Sequence, residues 1–142
     1  YGEAVIPDDG SVATIGALAF ANYPYKSLAI PEGITTIESM AFSGSSLESI
    51  VFPKSLKTLQ DHAFVDCENL KNVDLNGYKE VPYGTFYDAK SLSEIIGLEN
   101  ITAIGDYAFC SCESLTSIDL GANLTEIGQQ AFYANFNLST IF

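Results

Sequence analysis

Tryptophan is absent from this chain, and histidine and methionine occur once each, cysteine three times and lysine plus arginine only six times. Each shortage removes a class of chemistry. Three cysteines are too few for a disulfide framework or a four-thiolate zinc centre. A lone His62 is a thin basis for the base that a serine or cysteine nucleophile needs within hydrogen-bonding reach. The shortage of basic residues sets the charge: eighteen acidic residues leave a net charge of -12, which repels nucleic-acid phosphates and anionic lipid. Long apolar runs are missing too. The longest, such as residues 17–21, falls far short of the ~20 residues that cross a bilayer. The start of the chain has neither the basic residues nor the apolar stretch of a secretory signal, so any export signal is expected to have been removed or to lie outside this segment.

What the chain does have is periodicity. Phenylalanine recurs at Phe20, Phe42, Phe64, Phe86, Phe109 and Phe132, at intervals of 22, 22, 22, 23 and 23 residues. Five residues before each stands an aliphatic residue: Ile15, Ile37, Leu59, Val81, Ile104 and Ile127. Eight before stands a second apolar series: Val12, Ile34, Leu56, Tyr78, Ile101 and Leu124. A small residue precedes each phenylalanine: Ala19, Ala41, Ala63, Thr85, Ala108 or Ala131. Downstream come Leu70 and Val73, Leu92 and Ile95, Leu115 and Ile118, and Leu138 and Ile141. Leu47 and Ile50 come one residue early, and Leu28 and Ile30 come late behind an insertion at Pro24 and Tyr25. One such repeat cannot bury its own apolar side chains, but stacked repeats superpose like on like into a continuous core.

The spacing therefore predicts a solenoid of about six coils of 22 to 23 residues, built from short parallel strands and turns with little α-helix. Residues 70–75 and 115–120 alternate as strands do. Gly16, Gly105 and Gly128, each following the second aliphatic position, read as turns. Residues 1–142 form a single repeat domain, with a partial N-terminal coil over 1–11. Ile6 and Pro7 match Ile30 and Pro31, and Ile141 and Phe142 fall mid-strand, so the chain reads as a segment of a larger array, or one without polar end caps.

The segments AFCSCESLTSIDLGANLTEIGQQAF and AFVDCENLKNVDLNGYKEVPYGTF resemble the BspA-like leucine-rich repeats of bacterial and protist surface proteins, and the likeness runs over roughly residues 4 to 142. The resemblance implies a leucine-rich-repeat solenoid, at the cell surface or secreted, whose repeats contribute to adhesion.

Site chemistry follows from repeat phase. Cys67 and Cys112 both lie three residues after a phenylalanine but two coils apart, too far for a disulfide at ~4.8 Å per coil. They read as small interior residues. His62 shares its phase with Leu18, Met40, Gly84, Tyr107 and Gln130, which argues against a zinc or catalytic role. Asp66 and Asp88 share a phase in adjacent coils, either as solvated surface acids or as part of a cation site. The sequons at Asn100, Asn123 and Asn137 fit the repeat itself better than selected glycan sites. No catalytic residue, cofactor or metal is expected. The candidate binding face consists of the outward strand residues Ser49, Val51, Asn72, Asp74, Glu94, Ile96, Ser117 and Asp119. Tyr23, Tyr25, Tyr83, Tyr87, Tyr107 and Tyr133, near the alanine-phenylalanine turns, offer a second surface or pack between coils. These features point to a non-catalytic module that binds an extracellular protein or glycan, with no nucleic acid, no membrane insertion and a capacity for end-to-end self-association. The alternative is a stalk that presents another domain.

Overall fold

The computed structural model describes residues 3–142. Six coils stack with their phenylalanine rings in one column. Phe20, Phe42, Phe64, Phe86, Phe109 and Phe132 lie nearly parallel, with ring centroids 5.4, 4.8, 5.7, 5.6 and 5.4 Å apart in succession. The four inner rings are fully buried, with Ile34, Ile37, Leu47, Leu70, Val73, Leu92 and Ile101 around them. In the inner coils the periodic positions are thus the core, because a side chain between two coils meets its own kind above and below, whereas Ile127 and Ile141 of the sixth coil are exposed.

Three backbone ladders hold the coils together. The first consists of two-residue strands beginning at β1 (Thr14–Ile15), β2 (Thr36–Ile37) and β4 (Thr58–Leu59), paired in parallel with Thr14 opposite Thr36 and Thr36 opposite Thr58. It resumes as β6 (Glu80–Val81), β8 (Ala103–Ile104) and β10 (Glu126–Ile127). The expectation of short parallel strands and turns holds, but this ladder is additional to the strands that the alternation over residues 70–75 and 115–120 marks. Two residues are too short a span for alternation to be visible.

Its interruption has a covalent cause. Glu38, Gln60, Gly105 and Gly128 each donate their backbone N–H to the aliphatic residue one coil earlier, at 2.9, 2.9, 2.7 and 2.7 Å. Pro82 holds the same phase and has no N–H to give. At that break the Tyr78 hydroxyl takes up the Leu59 N–H, at 2.9 Å.

The second ladder is the one the alternation foretold: β3 (Ser49–Val51), β5 (Asn72–Asp74) and β7 (Glu94–Ile96), then β9 (Ser117–Ile118) with β11 (Thr140–Ile141). It too is split, between β7 and β9. Coil four carries an extra residue here. Where Phe52, Leu75 and Leu120 follow two residues after the inward strand residue, the fourth coil has Gly97, with φ 92°, and buries Leu98 instead, at the start of a single 3-10 turn (Leu98–Asn100). The slip leaves Ile95 half-buried, whereas Ile50, Val73 and Ile118 are buried.

The third ladder runs unbroken past the phenylalanines. Phe20, Phe42, Phe64, Phe86 and Phe109 donate to Ala41, Ala63, Thr85, Ala108 and Ala131 of the next coil at 2.8 to 3.0 Å. Asn22, Gly44, Asp66, Asp88 and Ser111 do the same to Ser43, Val65, Tyr87, Cys110 and Tyr133. Every coil achieves this with two left-handed residues, one two positions before the phenylalanine and one two after. His62 (φ 60°) and Asp66 (φ 59°) flank Phe64, for example, and Tyr107 (φ 56°) and Ser111 (φ 61°) flank Phe109. A left-handed residue on each side turns successive N–H groups along the solenoid axis and prevents helix from propagating. The alanine-phenylalanine pair therefore sits in a chain of turns.

All three cysteines are buried and unbonded. Cys67 and Cys112 fill the interior as expected and also satisfy backbone: their thiols donate to the carbonyls of Phe42 and Phe86 at 3.1 and 3.3 Å. Burial raises the Cys67 thiol to about 11 and raises that of Cys112 further, so neither supplies a thiolate near neutrality.

Candidate functional site

The strand face gathers six of the eight candidate residues into one sheet. Ser49, Asn72 and Glu94 stand opposite one another in one row, and Val51, Asp74 and Ile96 in a second. Both rows point away from the core, with Val51 55% and Ile96 49% exposed, large values for side chains that serve no packing purpose there. Ser117 and Asp119 lie beyond the split. Ser117 is exposed on β9 opposite Thr140, and Asp119 follows that strand.

Two of the acids have structural duties that phase alone did not show. The Asp74 carboxylate accepts the Asn76 N–H at 2.8 Å, and the Asp119 carboxylate accepts the Gly121 N–H at 2.9 Å. Each closes an Asx turn that ends its strand. The patterns Asp-Leu-Asn and Asp-Leu-Gly carry that signal in the sequence. Glu94 has no such bond and is the unencumbered carboxylate of the sheet.

The face is not flat. A groove of about 580 Å³ opens over its N-terminal coils, lined by Val5, Ile6, Leu28, Ile30, Ser49, Val51 and Phe52 among others. It exists because Leu28 and Ile30 are buried against the core yet residues 28–30 form no strand with β3. The coils are tied on either side of this stretch, by Glu48 N–H to the Lys26 carbonyl at 2.9 Å and by the Glu32 carboxylate to the Lys54 and Ser55 N–H groups at 2.8 and 2.9 Å. The open side of β3 thus faces an apolar trough. A smaller cleft of about 200 Å³ occupies the split between β7 and β9, with Glu94, Glu99 and Asp119 among its walls. Lys26, Glu48 and Lys71 form an exposed ion-pair row beside the strands, at 3.6 and 3.7 Å.

The tyrosines divide. Tyr23 is buried, its hydroxyl donating to the Ser27 carbonyl at 3.1 Å. Tyr83 and Tyr133 are exposed, and Tyr25, Tyr87 and Tyr107 are half-buried. Asp66 and Asp88 do meet at the turn edge. Loss of hydration and then the neighbouring Asp88 and Glu68 charges hold the Asp66 carboxyl above its ordinary range. Among the described residues, no three His, Cys, Asp or Glu side chains are grouped as a metal site requires.

A raised folded-state value means that Asp66 favours the fold when protonated. That contribution is complete below the ordinary aspartate value of 3.8 and is lost as pH rises through the raised one. Asp66→Asn is therefore expected to raise the melting temperature slightly at neutral pH and to leave it unchanged at the acid end of a pH series. Asparagine suits the left-handed turn, since Asn22 occupies the same phase with φ 58°. A gain of equal size at every pH would show that the repulsion is not its source.

Comparisons with known proteins agree with this architecture. A family model described as the BspA type leucine rich repeat region matches residues 13–139, in six copies. Among solved structures, a leucine-rich repeat protein from Eubacterium ventriosum superposes with a TM-score of 0.71 at 24% identity, over 88% of this chain and 41% of that one. A leucine rich cell surface protein from Faecalibacterium prausnitzii gives 0.67 at 29% identity, over 99% and 48%. A leucine-rich repeat protein from Bacteroides ovatus gives 0.58 at 21% identity, over 96% and 48%. The chain spans less than half the length of each of these proteins. No curated protein is significantly similar to it in sequence. With six copies of one family's repeat covering nearly all of its length, the chain belongs to the BspA-type leucine-rich repeat family.

Proposed function

We propose that this chain is a non-catalytic recognition module of a bacterial cell-surface or secreted protein, which binds an extracellular protein or glycan through its strand face. The observation that carries the reading is the pair of outward rows on β3, β5 and β7, where Val51 and Ile96 are exposed in one row and Val51 borders an apolar groove. Apolar side chains held outward on a sheet, one of them at the edge of a trough, suit recognition better than solubility. The likeness to the leucine rich cell surface protein of Faecalibacterium prausnitzii supports the location. The exposed Ile127, Phe136, Ile141 and Phe142 of the sixth coil suit end-to-end association with a further coil or a second copy.

The spacer reading also has an observation in its favour: the phenylalanine column and the turn ladder run unbroken from end to end, as a stiff rod requires. Binding to arrays of extracellular-matrix proteins and mucosal glycans separates the two. Because Asp74 and Asp119 close turns, the informative variant is Val51→Lys, Glu94→Lys and Ile96→Lys together. Saturable binding that the triple variant loses is the expected result. Binding that survives it would move recognition off the strand face, and no saturable binding would favour the spacer.

A further inference from the structure

The turn edge of coils three to five carries a surface of different chemistry. His62 and Tyr83 meet edge to face with ring centroids 4.5 Å apart, Tyr83 and Tyr107 are 5.8 Å apart, and Tyr87 and Tyr107 are 6.3 Å apart. These rings form a continuous strip across the coils, with Tyr83 44% exposed. The repeat does not demand it, because the phase of Tyr83 holds Ala17, Ser39, Asp61, Asp106 and Gln129 in other coils and that of Tyr107 holds Leu18, Met40, Gly84 and Gln130. Carboxylates border the strip. Asp88 lies close enough to the Tyr87 hydroxyl to help hold its proton, after the larger effect of Cys110, and Asp66 is pressed against Asp88. The nearby base, Lys90, is bonded to Glu68 at 3.2 Å. The edge therefore presents electron-rich ring faces beside two apposed acids.

We propose that this aromatic and acidic strip is a second docking surface, which takes a basic, lysine- or arginine-bearing segment of a partner protein. Ring faces attract cations, and a cation beside Asp66 and Asp88 would relieve a like-charge contact that Lys90, bonded to Glu68, offsets only in part. Charge complementarity points the same way, since the chain carries a net charge of -12. This deepens the recognition reading by naming the charge of a partner, and rests on it only in that the chain is a binding module.

The test is calorimetric titration with a nona-arginine peptide at physiological ionic strength. Tyr83→Phe with Tyr107→Phe keeps the ring faces and should bind like the parent. Tyr83→Leu with Tyr107→Leu removes them at unchanged charge and should weaken binding about tenfold, the size expected for two cation-ring contacts. Should the leucine variant fail to fold by circular dichroism, Asp66→Asn with Asp88→Asn is set against Glu94→Gln with Glu99→Gln, which removes the same charge from the strand side: greater weakening by the first pair supports the strip and equal weakening overturns it. A folded leucine variant that binds like the parent would mean that overall charge alone holds the peptide, and overturn the proposal, as would a parent that does not bind. Val51→Ser with Ile96→Ser, neutral in charge, should leave this titration unchanged. A failure of the strand face in the matrix and glycan arrays is thus told apart from a failure of the strip.

Discussion

Replacing Phe64 by alanine is expected to cost about 3–5 kcal/mol of stability, the usual penalty for emptying a phenylalanine site that cannot collapse. Phe64 is fully buried and touches three other rings: Phe42 at 4.8 Å, Phe86 at 5.7 Å and Phe52 at 5.7 Å. In a stack where each coil meets only its neighbours, the substitution damages two interfaces at once. Phe132, in the sixth coil, is half-buried with a ring partner on one side at 5.4 Å, so Phe132→Ala should cost distinctly less. Urea denaturation followed by circular dichroism measures both. Equal losses for the two variants would contradict the nearest-neighbour account of the column.

Gly105→Ala is expected to be nearly as damaging, at roughly 3 kcal/mol, the upper end for an added methyl group with nowhere to go. A Cβ at this position would lie 2.6 Å from the Tyr83 nitrogen and 2.7 Å from the Pro82 carbonyl carbon. These are backbone atoms of the preceding coil, so a rotamer change cannot relieve the clash and the coils must move apart. The movement would strain the 2.7 Å bond from Gly105 N–H to the Val81 carbonyl. Gly16 holds the same repeat phase, yet a Cβ there meets only the end of the Glu38 side chain at 3.8 Å. Gly16→Ala should thus be near neutral. Thermal melts of the pair provide the measurement, and similar melting temperatures for the two variants would sink the argument.

That contrast marks how far the sequence can be read. Gly16 and Gly105 are indistinguishable in the repeat pattern, and both read as turn glycines. What separates them is the approach of the preceding coil, a distance between residues more than twenty positions apart in the chain. The strand face shows the same division. That Val51 and Ile96 point outward followed from alternation with Ile50 and Ile95, and their exposure agrees. That a groove opens beside Val51 depends on residues 28–30 failing to pair with β3. The aromatic strip is half legible in the sequence: repeat phase places the tyrosines near the turns and leaves open which of them is buried. Tyr23 went inside because its phase, three after the phenylalanine, is the interior one shared with Ser45, Cys67, Ala89 and Cys112.

The sequence by itself determined the coil, its period, the interior column and the parallel stacking of strands. It did so because every interior position must match its counterpart above and below, so the same residue type is written again in each repeat. The breaks in the two strand ladders, the groove, the seam at Gly97 and the meeting of Tyr83 with Tyr107 were decided only in the tertiary structure. Each arises from a departure of one coil from its neighbours, such as a proline without an N–H, an extra residue or a late strand. The cost of that departure is set by the spacing between coils, which no single repeat encodes.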